Sequence, residues 1–127
     1  MNDVSVIIRT RNESRWIGHA IQSALDHFDS PELIVINNKS TDESMEIVRG
    51  FRHDPTLEPS VKNYCEVKTK DIDEYTPGKA LNLGVSLSTK KYICIMSAHT
   101  VIREFNSAYI EKKILDFPCI FGKQKPI

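Results

Sequence analysis

Polar side chains follow three apolar runs of this chain, at the points where the runs end. The three polar segments are Arg9–Glu13, Asn37–Lys39 and Ser97–Thr100. If the runs are parallel strands, these guanidinium, amide, carboxylate and imidazole groups meet at the sheet edge where ligands bind in open α/β folds. A single histidine such as His99 is a weak indication by itself. The convergence of the three segments makes His99 a candidate binding residue.

The segment after the first apolar run argues against two common nucleotide-binding classes. It reads Arg-Thr-Arg-Asn-Glu, and not G-x-G-x-x-G or a Walker A sequence, so NAD-binding proteins and P-loop NTPases are disfavoured. A nucleotide can still bind through side chains and backbone groups at the strand ends.

The composition narrows the class of protein. Lys+Arg and Asp+Glu both number 17, so the chain lacks the basic excess that nucleic-acid-binding proteins carry. No apolar run approaches the roughly 20 residues that span a bilayer, and we recognise no secretory signal, so we expect a cytoplasmic protein without a transmembrane segment. The odd number and wide spacing of the cysteines predict buried free thiols at Cys65, Cys94 and Cys119.

Strands and helices are predicted to alternate along the chain. Strands buried on both faces are predicted at 4–8, 33–36 and 92–97, an alternating strand nearer the sheet edge at 64–68, and a last short strand at 118–121. Helical spacing of apolar residues predicts helices at 13–27, 77–87 and 108–116, with a loop at 52–62. A further helix is predicted after the segment 40–43, and it carries Met45, Ile47, Val48 and Phe51.

Four features mark the predicted helix starts. Asn12 is expected to cap the first helix, and Ser40 with Glu43 reads as a capping box for the second. Pro77 suits the first position of the third helix, and the pair 106–107 can cap the fourth.

This order of elements predicts the fold class. Alternating strands and helices indicate an α/β, Rossmann-like, three-layer α/β/α structure with a mostly parallel sheet. Right-handed crossovers favour the strand order 3-2-1-4, which places the switch point between the first and fourth strands. We expect one domain over residues 1–127, long enough to bury roughly two thirds of its unfolded surface.

Five segments resemble family 2 glycosyltransferases with the GT-A fold. Residues 4–13 resemble the family's opening VSVIIPTYNE, and residues 32–42 resemble EIIVVDNGSTD. Residues 78–84 resemble its G-x-A-x-N-x-G helix, and residues 92–100 lie where the family has the strand that ends in Asp-x-Asp. The tail, 120–126, resembles the VYGRQ-x-P segment of a rhamnosyltransferase-like branch, which also tolerates Arg for the first Pro and Ser-Ala-His for Asp-x-Asp.

The resemblance implies a nucleotide-diphosphate sugar as ligand. Asn37 takes the place of the Asp that accepts a hydrogen bond from the base, and Lys79 and Asn82 would face the nucleotide or its phosphates. His99 takes the place of the second Asp of Asp-x-Asp, the metal contact to the diphosphate. The implied nucleotide-sugar-binding residues are Thr10, Arg11, Glu13, Asn37, Asn38, Lys79, Asn82, Ser97 and Ala98.

Two departures from the family pattern bear on the ligands. The amide of Asn37 can donate or accept, which relaxes the preference for uracil and leaves uridine as a first guess for the base. Ser97-Ala98-His99 removes both carboxylates, so Mn²⁺ or Mg²⁺ binding and metal independence stand as equal alternatives, with Mn²⁺ accepting imidazole more readily. Without metal, Lys79, Arg9 or Arg11 would have to neutralise the diphosphate.

The resemblance implies an inverting glycosyltransferase of polysaccharide biosynthesis that acts on a glycan or lipid-linked acceptor. Inverting transfer needs a general base, which the family carries on a later segment. Glu104, Glu111 and Asp116 do not match that motif, so no catalytic base is assigned. The chain is expected to be a truncated GT-A fold, the donor-binding half, whose exposed sheet edge could pair in a homodimer.

Three functions follow from these observations. The first is a glycosyltransferase, the second a non-catalytic nucleotide-sugar-binding module, and the third a protein-interaction domain that has kept the fold. Sugar transfer separates the first from the second, and the third predicts no nucleotide binding.

Overall fold

The computed structural model describes residues 1–53, 56, 60 and 63–126, and four parallel strands form its sheet. The strands are β1 (Val4–Thr10), β2 (Glu32–Asn37), β3 (Glu66–Asp71) and β4 (Tyr92–Ser97). Their order is β3-β2-β1-β4, so the predicted topology is confirmed. The carboxyl ends of β1 and β4 are therefore neighbours, whereas the chain leaves β1 toward β2 on its other side.

Four helices connect or follow the strands. They are α1 (Ile17–His27), α2 (Ser44–Arg49), α3 (Pro77–Leu87) and α4 (Ser107–Lys113). The first two pack against one face of the sheet and α3 packs against the other, which gives the predicted three layers. On the α1 side, the buried residues recur at helical spacing: Ile17, Ala20, Ile21 and Ala24.

Alternation along β1 divides its side chains between the two faces. Val6 and Ile8 belong to the larger core under α1 and α2, whereas Ile7 belongs to the smaller core under α3. At Gly84 the third helix comes close to the sheet: a Cβ added there would lie 2.5 Å from Cγ2 of Ile7. The second glycine of the G-x-A-x-N-x-G pattern, Gly84, therefore has a packing role.

At the amino ends of the strands, the buried carboxylate of Glu32 joins four elements. One oxygen accepts hydrogen bonds from the hydroxyl of Ser5 at 2.7 Å and the backbone N–H of Thr89 at 2.9 Å. The other accepts from the Thr89 hydroxyl at 2.7 Å and from Lys68 Nζ at 2.8 Å. Burial by itself raises the pKa of Glu32, but these donors outweigh it and lower the pKa to about 2.

The prediction that β4 is buried on both faces is wrong. This strand lies at the sheet edge, and Ile93 and Ile95 are 42% and 56% exposed. They lie on the α3 side, where α3 covers β1 and β2 instead of β4. A uniformly apolar run therefore did not distinguish a central strand from an edge strand.

Several element boundaries also differ from the predictions. The first helix starts at Ile17 rather than 13, β3 is shifted to 66–71, and α2 and α4 are shorter than predicted. The predicted strand at 118–121 does not form, and this segment is irregular and mostly exposed. The predicted loop at 52–62 lies largely outside the described residues.

The three cysteines are free, as predicted, but differ in burial. Cys65 is buried, Cys94 is partly buried and Cys119 is exposed, so the prediction of a buried thiol is wrong for Cys119. Burial raises the pKa of Cys65 to about 12 and that of Cys94 to about 11. In the part of the chain that the structure describes, no helix is both long and apolar enough to cross a membrane.

A candidate ligand cleft at the carboxyl edge of the sheet

A cleft of about 390 Å³ opens at the carboxyl ends of β1 and β4. Its volume falls within the range of about 300 to 1,000 Å³ that is usual for small-molecule sites. Its lining comes from the end of β1 and the segment after it, from the ends of β2 and β4, and from the loop before α3: Arg9, Thr10, Arg11, Glu13, Asn38, Tyr75, Ser97 and His99. The predicted switch point is therefore a concave polar surface.

Thr10 presents a hydroxyl that has no hydrogen-bond partner. The residue is only 4% exposed, and its Oγ1 is buried without a partner among the described residues. An unsatisfied buried hydroxyl costs about 1 to 3 kcal/mol. Thr10 contributes to the lining of the cleft, but its hydroxyl is closed to solvent, so it offers no ready contact to a ligand in this conformation.

Two arginines supply positive charge to the cleft. Arg9 donates from Nη1 to the hydroxyl of Tyr75 at 3.2 Å, and Arg11 is exposed at the rim. In the β1–β4 pairing, Arg9 lies directly opposite Ser97, the first position of the lost Asp-x-Asp motif. Among the described residues Arg9 contacts a neutral phenol and no carboxylate, so its charge stays available to an anion.

Tyr75 is a site residue that the sequence analysis did not identify. It belongs to the acidic stretch 71–76, which reads as a solvated loop, and its ring is 37% exposed. The single aromatic residue within that stretch was the available signal.

Hydrogen bonds between two loops shape the wall of the cleft. The Asn12 backbone N–H donates to the Ser40 hydroxyl at 3.0 Å, and Glu13 N–H donates to the Ser44 hydroxyl at 2.8 Å. Ser14 N–H donates to an oxygen of Asp42 at 3.1 Å. These bonds fix the segment that carries Glu13 into the cleft.

The two predicted caps are wrong because the segments around Asn12 and Ser40 form hydrogen bonds with each other instead. Asn12, at φ 53°, does not cap α1, and its side-chain oxygen instead accepts from Thr41 N–H at 2.7 Å. Ser40 and Glu43 form no capping box; at the start of α2, the Asp42 carboxylate accepts from Ser44. Hydrogen bonds from Ser44, opposed by burial, lower the pKa of Asp42 to about 2.

His99 lies in a small cluster with Glu13 and Ser97. Its Nδ1 is 3.2 Å from Glu13 Oε1, and the Ser97 hydroxyl is 3.3 Å from both ring nitrogens. Among the described residues of the cleft lining, Glu13 is thus the acidic group that lies where the resembled pattern has Asp-x-Asp. Sequence separation of 86 residues concealed this pair.

Asn37 lies at the end of β2, but both ends of its amide have internal partners. Its oxygen accepts from Ser40 N–H at 3.1 Å, and its nitrogen donates to Asp71 at 3.0 Å. These partners fix the orientation of the amide, because a backbone N–H needs the oxygen and a carboxylate needs the nitrogen. The amide therefore braces the ends of β2 and β3.

Three other predicted residues lie outside the cleft lining. Lys79 pairs with Glu74 at 3.4 Å, on the exposed surface of α3. Asn82 is exposed on the same helix, and the methyl group of Ala98 is buried in the larger core. Six predicted residues do line it: Thr10, Arg11, Glu13, Asn38, Ser97 and His99.

The residues present do not fit the divalent metal of an Asp-x-Asp site. One carboxylate reaches the position, and it already pairs with His99. Mg²⁺ prefers an octahedron of oxygen ligands, and two guanidiniums in the same cleft repel any cation. No group of three or more His, Cys, Asp or Glu residues that could hold a metal occurs within the described ranges.

Comparison with known proteins places these features in context. Residues 5–105 match the model of the family described as "Glycosyl transferase family 2". An uncharacterized glycosyltransferase of Rickettsia bellii is 31% identical over 96 residues, which are 75% of this chain and 12% of that protein.

Two groups of solved structures share the fold. S. aureus TarS 1-349 in complex with UDP superposes with a TM-score of 0.70 at 17% identity, over 98% of this chain and 38% of that one. The mannosyltransferase PcManGT from Pyrobaculum calidifontis, in complex with GDP-Man and Mn²⁺, gives 0.63 at 20% identity, over 80% and 29%. The chain therefore spans well under half the length of these relatives.

Proposed function

The chain belongs to glycosyl transferase family 2 and has the GT-A fold, and from this premise we propose that its cleft binds a nucleotide-diphosphate sugar. The sugar would be transferred, with inversion, to a glycan or lipid-linked acceptor. One observation carries the proposal: two guanidiniums line a concave polar cleft at the switch point of a parallel sheet. Guanidinium groups suit diphosphate oxygens because they donate paired hydrogen bonds.

The ligand would lie across the sheet edge with its two ends on different strands. The diphosphate would lie near Arg9 and Arg11, at the ends of β1 and β4. The base would extend toward β2 and β3, where the Asn37–Asp71 pair presents a carboxylate held by an amide. Since Asn37 is satisfied internally, Asp71 is the acceptor that we propose for an N–H of uracil or guanine. Asn38 would contact the ligand between these ends.

The chemical step needs a general base, and we assign that role to none of the described residues. Glu13 is occupied by His99, and Glu104 and Glu111 are exposed away from the cleft lining. The part of the reaction that we propose for this chain is donor binding and stabilisation of the leaving diphosphate. The 127 residues would act as one donor-binding domain.

A thermal-shift screen tests donor binding directly. UDP, GDP, dTDP and CDP are added to the full chain, each with Mn²⁺, Mg²⁺ or EDTA. Ligand at about a hundred times its dissociation constant adds about 2.7 kcal/mol and raises Tm by several degrees. A shift with UDP, GDP or dTDP, whose bases carry a ring N–H, but not with CDP, whose base lacks one, supports the role of Asp71. If no nucleotide shifts Tm, the cleft is not a donor site and the proposal fails.

Sugar transfer separates a transferase from a binding module. A non-catalytic binding module would bind nucleotide sugars but would neither transfer nor hydrolyse the sugar. Chromatography of a radiolabelled donor, incubated with the chain and a glycan acceptor, distinguishes the two.

Location and self-association are further parts of the proposal. Free thiols at Cys65 and Cys94 support a reducing compartment, so we propose the cytoplasm. The exposed face at Ile93 and Ile95, beside the unpaired edge of β4, supports pairing with a second copy. Light scattering across a concentration series measures that pairing, and a strictly monomeric mass contradicts it.

A further inference from the structure

We propose that this site binds the diphosphate of its nucleotide sugar without a divalent metal, with the guanidiniums of Arg9 and Arg11 in the metal's place. Tyr75 serves as a positioning residue for Arg9. The inference rests on the proposed donor-binding function, and it states how that site recognises the diphosphate.

This site is more positively charged than the family pattern that the sequence resembles. Arg9 stands where that pattern has Pro, and Ser97 and His99 stand where it has two Asp residues. These exchanges remove two negative charges and add one positive charge. The local change is therefore at least as large as the charge that a divalent ion brings to such a site.

Two of the exchanged residues lie next to each other in the sheet. Arg9 and Ser97 are direct partners across β1 and β4, on neighbouring strands about 4.8 Å apart. The gained cation thus lies beside the lost carboxylate. A long guanidinium side chain reaches easily across that spacing, so its charge can occupy the region that the metal and its ligands fill in an Asp-x-Asp site.

The cationic side chains differ in whether they are available to bind an anion in the cleft. Lys79 pairs with Glu74 at 3.4 Å and lies outside the cleft, so it does not serve. Arg9 instead meets the neutral hydroxyl of Tyr75 at 3.2 Å, and both line the cleft. This contact orients the guanidinium without cancelling its charge.

The acidic group that remains in the cleft lining already has a partner. Glu13 is the one carboxylate in the cleft lining, and it pairs with His99 at 3.2 Å. Among the described residues, its close charged contact is with the imidazole and not with either arginine. The pair also holds His99 at the diphosphate end of the cleft.

Calorimetry with the full chain tests the inference, using inorganic pyrophosphate and the nucleoside diphosphate that gives the largest thermal shift. We expect both ligands to bind in EDTA, and added Mn²⁺ not to tighten their binding. Arg9→Gln should weaken binding by about tenfold or more, the factor expected for a lost hydrogen bond between charged groups. Arg15→Gln is the matched control, because Arg15 stacks on Trp16 outside the cleft and should leave binding unchanged.

The role of Tyr75 needs a readout that general destabilisation does not move. Tyr75→Phe should lower affinity for the diphosphate severalfold and leave affinity for the free nucleoside, measured by NMR titration, unchanged. Tyr109→Phe, on α4 away from the cleft, is its control. Equal losses for both ligands would mean that Tyr75 is only structural.

A reverse exchange makes the inference sharper. The triple variant Arg9→Pro, Ser97→Asp and His99→Asp should bind the diphosphate only with Mn²⁺, provided that circular dichroism shows it folded. Wild-type binding that EDTA abolishes and Mn²⁺ restores would overturn the inference. Pyrophosphate binding without nucleotide binding would support the inference and reject the proposed donor, whereas binding of neither ligand rejects both.

Discussion

The buried carboxylate of Glu32 makes the stability of this domain depend on pH in a calculable way. Its pKa falls from 4.5 to about 2 on folding, because four hydrogen bonds to three residues outweigh the cost of burial. A folded-state pKa below the unfolded value adds stability above pH 4.5, and this stability is lost as the pH falls toward 2. At 1.36 kcal/mol per pKa unit, the contribution is about 3 kcal/mol at neutral pH.

Glu32→Gln tests this value, since glutamine has the shape of the protonated acid. At pH 7 the variant should be less stable than the wild type by about 3 kcal/mol. The difference should fall to about half by pH 3 and approach zero near pH 2. Urea unfolding, followed by circular dichroism at several pH values, gives the free energies of unfolding.

Glu66→Gln is the matched control, because Glu66 is exposed and lies 3.9 Å from the same Lys68 Nζ. An exposed pair of this kind contributes at most about 1 kcal/mol. If the Glu32→Gln difference stays constant from pH 7 to pH 3, the ionised carboxylate does not stabilise the fold and the reasoning is refuted.

Two further predictions concern packing and thiol reactivity. Gly84→Ala should destabilise the domain by about 1 to 3 kcal/mol, because the new methyl group would clash with Ile7. Gly78→Ala is the control and should not destabilise the domain, because no atom lies within 4 Å of the added methyl group. Thermal unfolding of the two variants measures the difference. A thiol reagent at pH 8 should label Cys119 at once and Cys65 only on unfolding, because burial raises the Cys65 pKa to about 12; rapid labelling of Cys65 contradicts that burial.

The order of the strands was predictable because it depends on simple patterns. Short apolar runs separated by helical patterns imply parallel strands, and the handedness of crossovers then limits their order. Helix α3 was predicted with both ends correct, since Pro77 marks its first turn and Leu87 ends its apolar spacing. These signals are local and need no knowledge of distant partners.

The errors arose where distant partners decide the local structure. Asn12 has the residue type of a helix cap, but its amide bonds to the segment after β2, nearly thirty residues away. Likewise, Tyr75 reaches the cleft only through its contact with Arg9, 66 residues apart in the chain. The apolar residues Ile93 and Ile95 match a buried strand, although α3 leaves their face open.

The Glu32 network and the cleft occupy opposite ends of the same strands. Ser5 belongs to the first and Arg9 to the second, four residues apart on β1 or about 13 Å at the rise of a strand. Energetic effects at such a distance are usually additive within about 0.5 kcal/mol. Substitutions that change the ligand chemistry at one end therefore leave the stabilising bonds at the other intact. Substitutions in the cleft therefore need no compensating change at the amino ends of the strands.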